Sequence, residues 1–367
     1  MKTNSTLVLF LLFAVPGLLL TGCGTEGEGT PDFDREEMLL HYSANVIKPA
    51  FQGLQQEAEN LDSQVGAFVD APSAAALGSA KAAWLSAYAA WQSANAFNFG
   101  PAGEDGLRKG LIEEVGTWPV AVGKVENAIT AADHSLSGFD RDARGFLAIE
   151  YLLFGGGEAE VLQQFEGSSS RRAHLKALTA DVLARVQDVN EAWEGYEAEF
   201  VSNNGTDAGS STSRLYNEWV RSFESAKNFK VGLPAGKRPG QVQSEPQLVE
   251  AFYSATSLAQ LKAHLQAIED IYYGGGEGDR QGPSLKTYLD NVVGGTALIA
   301  ESEAQWANVM AALEAVPEGQ PFRELIAAED PTVEALHTEL QRQTRFFKSD
   351  MSSLLGIAIT FSSGDGD

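Results

Sequence analysis

The sequence predicts an all-α protein built as a duplicated helical bundle, with two pseudo-symmetric up-down bundles packed together. Apolar residues recur at helical spacing over long stretches, and no stretch shows the sustained alternation with β-branched residues that a strand would show. A motif that occurs twice predicts the duplication. The chain has 367 residues, of which 44% are hydrophobic, so it can form one large domain or two ordinary ones.

Three long helices follow from the periodicity. Residues 73–97 are Ala-rich and place Trp84 and Trp91 on one face, seven residues apart. Residues 170–201 carry one apolar stripe, and residues 331–361 open with a proline, which suits a first helical turn. Gly-rich and polar stretches predict loops at residues 100–106, 155–158, 203–213, 232–240 and 274–284.

An internal repeat predicts that the two bundles are related. Residues 148–158 (AIEYLLFGGGE) match residues 267–277 (AIEDIYYGGGE), with seven identical positions. Residues 93–100 (SANAFNFG) match residues 225–232 (SAKNFKVG). Because both matches occur in the same order along the chain, they indicate duplication of a whole unit rather than a chance glycine match.

The N-terminus has the pattern of a bacterial lipoprotein signal. An apolar run over residues 7–20 is too short and too broken for a membrane span, and it ends in Leu-Thr-Gly before Cys23. Cys23 is the only cysteine in the chain, and it lies where a lipoprotein box requires one. The alternative is an ordinary signal peptide with a chance cysteine. We expect lipid on Cys23 to anchor the protein in the cell envelope, at the outer membrane, facing the periplasm or the surface.

The predicted organisation has five parts, which are, in chain order, a lipoprotein signal peptide (residues 1–22), a flexible tether (23–33), a first helical bundle (34–164), a second helical bundle (165–361) and a frayed tail (362–367).

The charge balance excludes some partners. There are 26 basic and 50 acidic side chains, which give a formal net charge of −24. A strongly acidic surface repels phosphates, so we expect no nucleic-acid partner and no binding to anionic lipid through a basic patch. A cationic ligand or a metal ion is compatible with this charge, and so is a simple role in solubility.

Glu150 lies on a helix that is predicted to be buried, because residues 146–154 are apolar on every side of it. A carboxylate there must be paired, hydrogen-bonded, protonated or bound to metal. No cation lies three or four residues away, so its partner must come from elsewhere in the fold. Two interpretations remain open: a ligand- or metal-binding carboxylate, or a structural bond to an Arg, Tyr or Trp of a neighbouring helix.

Two further candidates are less specific. Glu269, the repeat mate of Glu150, lies beside Asp270 in a more polar helix and is predicted to be a surface residue. Trp118 precedes Pro119, and this pair is predicted to fix a turn that packs an aromatic ring between helices.

Lys227, Lys230, Lys237 and Arg238 form a basic cluster, which is unusual in so acidic a chain. The cluster either neutralises buried acids at the junction of the two bundles or forms a solvated face.

Six stretches of the chain carry a family resemblance: NAFNFGP (95–101), Trp118-Pro119, GFLAIEYLLFG (145–155), GLPAG (232–236), VEAFYS (249–254) and ITFSSGDGD (359–367). In these stretches the chain resembles the imelysin family, bacterial envelope proteins described as imelysin-like peptidases or iron-regulated proteins. The resemblance implies two related helical bundles with a shared site between them, in a periplasmic or outer-membrane lipoprotein. With the residues above, it gives these candidates for ligand binding: Asn95, Trp118, Glu150, Lys227, Lys237, Ser254 and Glu269.

The chain departs from the family pattern at the residues that matter for metal. The family signature is Gly-x-His-x-x-Glu, in which Gly145 and Glu150 match but Leu147 occupies the histidine position. Asn95 occupies a position where family members often carry a carboxylate. Leucine has no ligand atom, and an amide is a poor substitute for a carboxylate at a di- or trivalent ion. We therefore expect no cofactor and no catalytic residue, with iron or another divalent metal bound only if a site survives at Glu150.

Three functions are carried forward. The leading hypothesis is a lipid-anchored, non-catalytic binding protein associated with iron or metal-complex uptake, whose partners are the membrane and an envelope or metal-transport protein. The first alternative is an imelysin-type peptidase that uses Glu150. The second is an adaptor lipoprotein that binds a partner protein across the cleft between the bundles.

Overall fold

The computed structural model describes residues 33–103, 110–136, 138, 140–278 and 280–361. Within these ranges the chain is helical and contains no strand, so the all-α prediction is confirmed. The signal peptide, the tether up to residue 32, Cys23 and the tail over residues 362–367 lie outside the described residues. None of the described helices is long and apolar enough to cross a membrane.

The α-helices are, in chain order, α1 (Arg35–Tyr42), α2 (Lys48–Asp70), α3 (Ala74–Ala94), α4 (Leu111–Val115), α5 (Val122–Ala131), α6 (Gly145–Phe154), α7 (Glu158–Gly167), α8 (Ser169–Ser202), α9 (Ser211–Ser225), α10 (Ser257–Tyr273), α11 (Leu285–Asp290), α12 (Gly295–Glu314), α13 (Phe322–Ala327), α14 (Pro331–Arg345) and α15 (Ser352–Leu355).

A first group of long helices consists of α2, α3, α6 and α8, which pack against one another in a ring. Helix α3 begins at Ser73, whose side chain accepts a hydrogen bond from the backbone of Ala76 as an N-cap. Its aromatic stripe, including Trp84 and Tyr88, is fully buried, as helical spacing of large apolar residues predicts. Helix α8 packs along α2 and α6, although the sequence-based boundary at residue 165 assigns it to the second bundle.

A second group consists of α9, α10, α12 and α14. Two of these helices continue into π-helical segments, Ala226–Gly232 after α9 and Phe346–Met351 after α14. The second segment interrupts the helix predicted over residues 331–361, which ends at Leu355 where Gly356 adopts the left-handed conformation. The two groups meet where α3 contacts α10 and where the 3₁₀ turn Asn95–Phe97 contacts α9.

The two copies of the sequence repeat have similar helical surroundings. In the first group the indole of Trp84 donates to the carbonyl of Phe146 on α6, at 2.8 Å. In the second group the indole of Trp219 donates to the carbonyl of Ile268 on α10, at 2.9 Å. In each group, the helix with the Ala-Ile-Glu motif, α6 or α10, therefore accepts a hydrogen bond from a tryptophan of an earlier helix, α3 or α9. The duplication itself stays a prediction from the sequence.

Candidate functional site

Glu150 is buried in the middle of α6 and is 1% exposed. Its Oε1 accepts a hydrogen bond from the backbone N–H of Ser254, at 2.7 Å. This partner is a turn backbone rather than the Arg, Tyr or Trp side chain that the structural interpretation expected. The turn is tightly wound, because Ala251 and Ala255 on either side of Ser254 both have positive φ. The structure therefore brings two candidates, Glu150 and Ser254, into direct contact.

Burial controls the protonation of Glu150. Loss of water raises its pKa from 4.5 to about 7, although the hydrogen bonds from Ser254 act in the opposite direction. The negative charge of nearby Glu250 raises the pKa further. Desolvation is the larger effect, so this carboxyl group keeps its proton to a higher pH than an ordinary glutamate does.

A second buried carboxylate, Glu250, lies in the same cluster. Its Oε1 accepts from the hydroxyl of Tyr88 at 2.6 Å, and its Oε2 lies 2.8 Å from the ammonium of Lys230. The same ammonium donates to Oε1 of Gln92 at 2.5 Å. Burial lowers the pKa of Lys230, and the charge of Glu250 opposes that effect. The positive charge in the cluster is therefore supplied by a lysine of the chain itself.

The polar network continues from Gln92 into the second helix group. Asn95 donates through Nδ2 to Gln92 at 3.3 Å and accepts through Oδ1 from the hydroxyl of Ser222 at 3.2 Å. That hydroxyl lies 2.6 Å from Nε2 of His264. Since the hydroxyl proton of Ser222 goes to Asn95, His264 donates from Nε2 in this arrangement. Burial lowers the pKa of His264, and the positive charges of Lys230 and Arg221 lower it further, so its imidazole is neutral.

These residues do not fit a metal ion. Leu147 is buried among apolar residues and offers no ligand atom. Glu250 is already paired with the ammonium of Lys230, which a bound cation would have to displace. Across the part of the chain that the structure describes, no group of three or more His, Cys, Asp or Glu side chains is arranged to hold a metal.

The basic cluster divides into two parts, so neither interpretation holds for all of it. Lys227 and Lys230 are 1% and 5% exposed and pair with buried Glu224 and Glu250, at 2.9 and 2.8 Å. For these two the solvated-face interpretation is wrong, because helix packing removes them from water. Lys237 is exposed and forms an ion pair with Glu334.

A cleft of about 560 Å³ opens beside this cluster. Its basic and imidazole side chains are Lys227, Lys237, Arg238, His337 and Lys348, and none of its described lining residues is acidic. We call it the basic cleft. Burial lowers the pKa of His337, Glu334 opposes this effect, and the charges of Lys227 and Lys237 reinforce it.

The other candidates lie apart from Glu150. Trp118 lines a separate cleft of about 440 Å³ together with Arg221 and Phe229. Glu269 is only partly exposed, pairs with Arg280 at 3.3 Å and lines a different cavity in the second group. The prediction of a surface position for Glu269 is therefore only partly correct.

The buried cluster also contains Glu250, Tyr88 and Gln92, which were not among the candidates predicted from the sequence. A signal for Glu250 was available, because it lies in the VEAFYS stretch that carries the family resemblance. Tyr88 looked like one more residue of an apolar stripe, and only its hydroxyl bond to Glu250 distinguishes it.

Comparisons with known proteins agree with this fold. The family described as imelysin, peptidase M75, matches residues 47–347. Iron-regulated protein A of Synechococcus elongatus is 25% identical over 311 residues, which are 82% of this chain and 80% of that protein.

Two crystal structures are similar in fold, each at 18% identity. One is described as an iron-regulated protein A precursor from Parabacteroides distasonis, with a TM-score of 0.73 over 90% of this chain and 97% of that one. The other is an imelysin-like protein from Psychrobacter arcticum, with a TM-score of 0.72 over 89% of this chain and 97% of that one. Because the family match spans most of the described helices, the chain belongs to the imelysin family.

Proposed function

We propose that this protein is a lipid-anchored, non-catalytic binding protein of the bacterial cell envelope that takes up an anionic metal complex, such as a ferric chelate, in the basic cleft. The observation that carries the proposal is the basic cleft itself. In a chain with 50 acidic and 26 basic side chains, four basic side chains and a histidine line this cleft. Two of the four, Lys227 and Lys237, are paired with Glu224 and Glu334, which do not line it. A concavity whose lining has basic and no acidic side chains favours an anionic ligand over the surrounding surface of an acidic protein.

The same cleft suits a chelate better than a bare metal ion. Ammonium and guanidinium groups donate hydrogen bonds and offer no lone pair to a metal. They do bind the carboxylate or phenolate oxygens that surround iron in an anionic complex. The relative named Iron-regulated protein A supports a link to iron.

The buried cluster supports a non-catalytic role. Glu150, Glu250 and Lys230 are at most 5% exposed and are bonded to one another or to the backbone. A general acid or base must come within hydrogen-bond reach of its substrate, and side chains this deeply buried present almost no surface to a peptide.

The anchoring part of the proposal rests on the sequence. Residues 20–23 match a lipoprotein box, and the family resemblance includes envelope lipoproteins. In the adaptor alternative, the protein binds a partner protein of the cell envelope instead of a chelate.

Isothermal titration of the purified protein with ferric citrate, and separately with citrate alone, tests this function. A casein cleavage assay on the same protein tests the peptidase alternative. We expect saturable binding of ferric citrate, and we expect Lys237→Gln to weaken it about fivefold, the factor that roughly 1 kcal/mol represents. Lys262→Gln is the matched control, since Lys262 also pairs with a glutamate, Glu318, but does not line the basic cleft.

Three results would contradict the proposal. The first is no binding of ferric citrate, and the second is equal weakening by both lysine variants. The third is casein cleavage that disappears in Glu150→Gln, which would return the peptidase alternative to first place.

A further inference from the structure

A cavity of about 280 Å³ lies in the second helix group and shares no lining residue with the basic cleft. Its walls come from α10, α12 and the π-helical segment Phe346–Met351. At roughly 30 Å³ for each water molecule, its volume is that of about nine waters, so a ligand of about ten non-hydrogen atoms fits. Exposed Ala307 and partly exposed Glu303 are among its lining residues, so the cavity is reached from solvent on the α12 side.

The charged side chains that line this cavity are acidic. Glu269 on α10 and Glu303 on α12 line it, and none of its described lining residues is basic. Arg280 lies 3.3 Å from Glu269 and 3.4 Å from Asp270, so two carboxylates share one guanidinium. Lys286 lies 3.6 Å from Glu303, which is beyond hydrogen-bond distance. Among these five groups, three carboxylates face two cations, and one negative charge is left without a counter-charge.

The pKa of Tyr272, in the wall of the cavity, reflects the same negative charge. Burial raises this pKa above the ordinary value of 10, and the charges of Glu303 and Asp290 raise it further. Carboxylates that disfavour a phenolate anion at this position stabilise a cation placed near it.

Aromatic rings form most of the remaining wall, from the side chains of Tyr272, Tyr273, Trp306 and Phe347. The face of an aromatic ring attracts cations, and quaternary ammonium groups are bound in this way. Two cations of the chain already use this attraction, since Arg280 and Lys286 stand over the Tyr273 ring at 4.3 and 5.6 Å from its centroid. A metal ion needs a shell of oxygen, nitrogen or sulfur ligands, which walls made mostly of rings do not provide. The lining therefore suits an organic cation.

We propose that this cavity binds a small organic cation of the class of alkyl- or aryl-substituted ammonium compounds. The carbon part of the ligand lies against the aromatic walls, and its ammonium group lies toward the carboxylates of Glu269 and Glu303. This ligand has the opposite charge to the one proposed for the basic cleft, so the two sites are independent of each other.

Isothermal titration of the purified protein with benzyltrimethylammonium tests the proposal. Two probes of similar shape differ in charge: the neutral alcohol 2-methyl-1-phenyl-2-propanol and the anion 3-phenylpropanoate. We expect saturable binding of the cation. The alcohol should bind about tenfold more weakly or worse, because it gains neither the ion pair nor the attraction of the ring faces, and the anion should not bind measurably.

A pair of variants on α12 tests whether binding takes place in this cavity. Glu303→Gln removes one charge but keeps an acceptor for the Tyr273 hydroxyl, which donates to Glu303 at 2.8 Å. We expect it to weaken binding of benzyltrimethylammonium about three- to fivefold and to leave binding of the alcohol unchanged. Glu301→Gln is the matched control, since Glu301 is an exposed carboxylate of the same helix that does not line the cavity.

Three results would overturn the proposal. The first is no saturable binding of benzyltrimethylammonium at millimolar concentrations. The second is binding of the alcohol or the anion as tight as that of the cation. The third is a Glu303→Gln variant that weakens binding of the cation no more than Glu301→Gln does.

Discussion

Replacing Glu150 by glutamine isolates the cost of burying a carboxylate in the cluster, because glutamine keeps the shape and one acceptor for the Ser254 N–H but cannot ionise. The folded-state pKa of Glu150, about 7, is above the ordinary value of 4.5. Over the pH range between these values the folded protein holds a proton that the unfolded chain has lost. Wild-type stability therefore falls as pH rises from about 4.5 to about 7 and stays lower above that range.

The size of the effect follows from the pKa change. Burial of Glu150 raises its pKa from 4.5 to about 7, and at 1.36 kcal/mol for each pKa unit the full rise corresponds to about 3 kcal/mol. Most of it, about 2 to 3 kcal/mol, falls between pH 5 and pH 8. The glutamine variant lacks this loss, so its stability relative to wild type should improve by that amount over the same interval.

Urea unfolding of wild type and Glu150→Gln at pH 5 and pH 8 measures this difference, and groups that titrate in both proteins cancel. Glu301→Gln is the matched control, since Glu301 is an exposed carboxylate on α12. The stability of Glu301→Gln relative to wild type should not improve between pH 5 and pH 8 in the way expected for Glu150→Gln. If the stability of Glu150→Gln relative to wild type stays constant between pH 5 and pH 8, burial does not raise the pKa of Glu150, and the Ser254 bond holds the carboxylate ionised.

Three further outcomes are expected. Glu150→Ala should lower the melting temperature by several degrees, because the Ser254 N–H loses its acceptor, and Glu150→Gln should lower it much less; equal losses in the two variants would contradict this. Metabolic labelling with a clickable fatty acid should mark the wild type and not Cys23→Ala, and a labelled alanine variant would exclude acylation at Cys23. Leu147→His combined with Asn95→Glu should create a rise in melting temperature on adding divalent or ferric ion, and no rise would show that these two positions are not enough to restore a site.

The sequence predicted the helices and the burial of Glu150 well. Long helices have a strong period of 3.6, and the boundaries of α3 and α8 fall within a few residues of the predictions. Glu150 could be identified because a carboxylate in an otherwise apolar, buried helix must be paired, hydrogen-bonded, protonated or bound to a ligand.

The partners of Glu150 could not be predicted, for physical reasons. In the turn that presents the Ser254 N–H, Ala251 and Ala255 have positive φ. A glycine at such a position would have indicated a turn in the sequence, but an alanine does not. Lys230 lies in a π-helical segment and pairs with Glu250, whose approach depends on how the two helix groups pack. Neither the turn nor the packing leaves a local pattern in the sequence.

Lys230, and not a metal ion, balances the charge of buried Glu250, while Glu150 is bonded to the Ser254 backbone. Elemental analysis of purified wild type and Glu150→Ala, together with melting curves in added ferric and zinc ion, tests it most directly. We expect far less than one metal ion per chain and no metal-dependent rise in the melting temperature of either protein. One bound metal per wild-type chain, with a melting-temperature rise that Glu150→Ala abolishes, would contradict it.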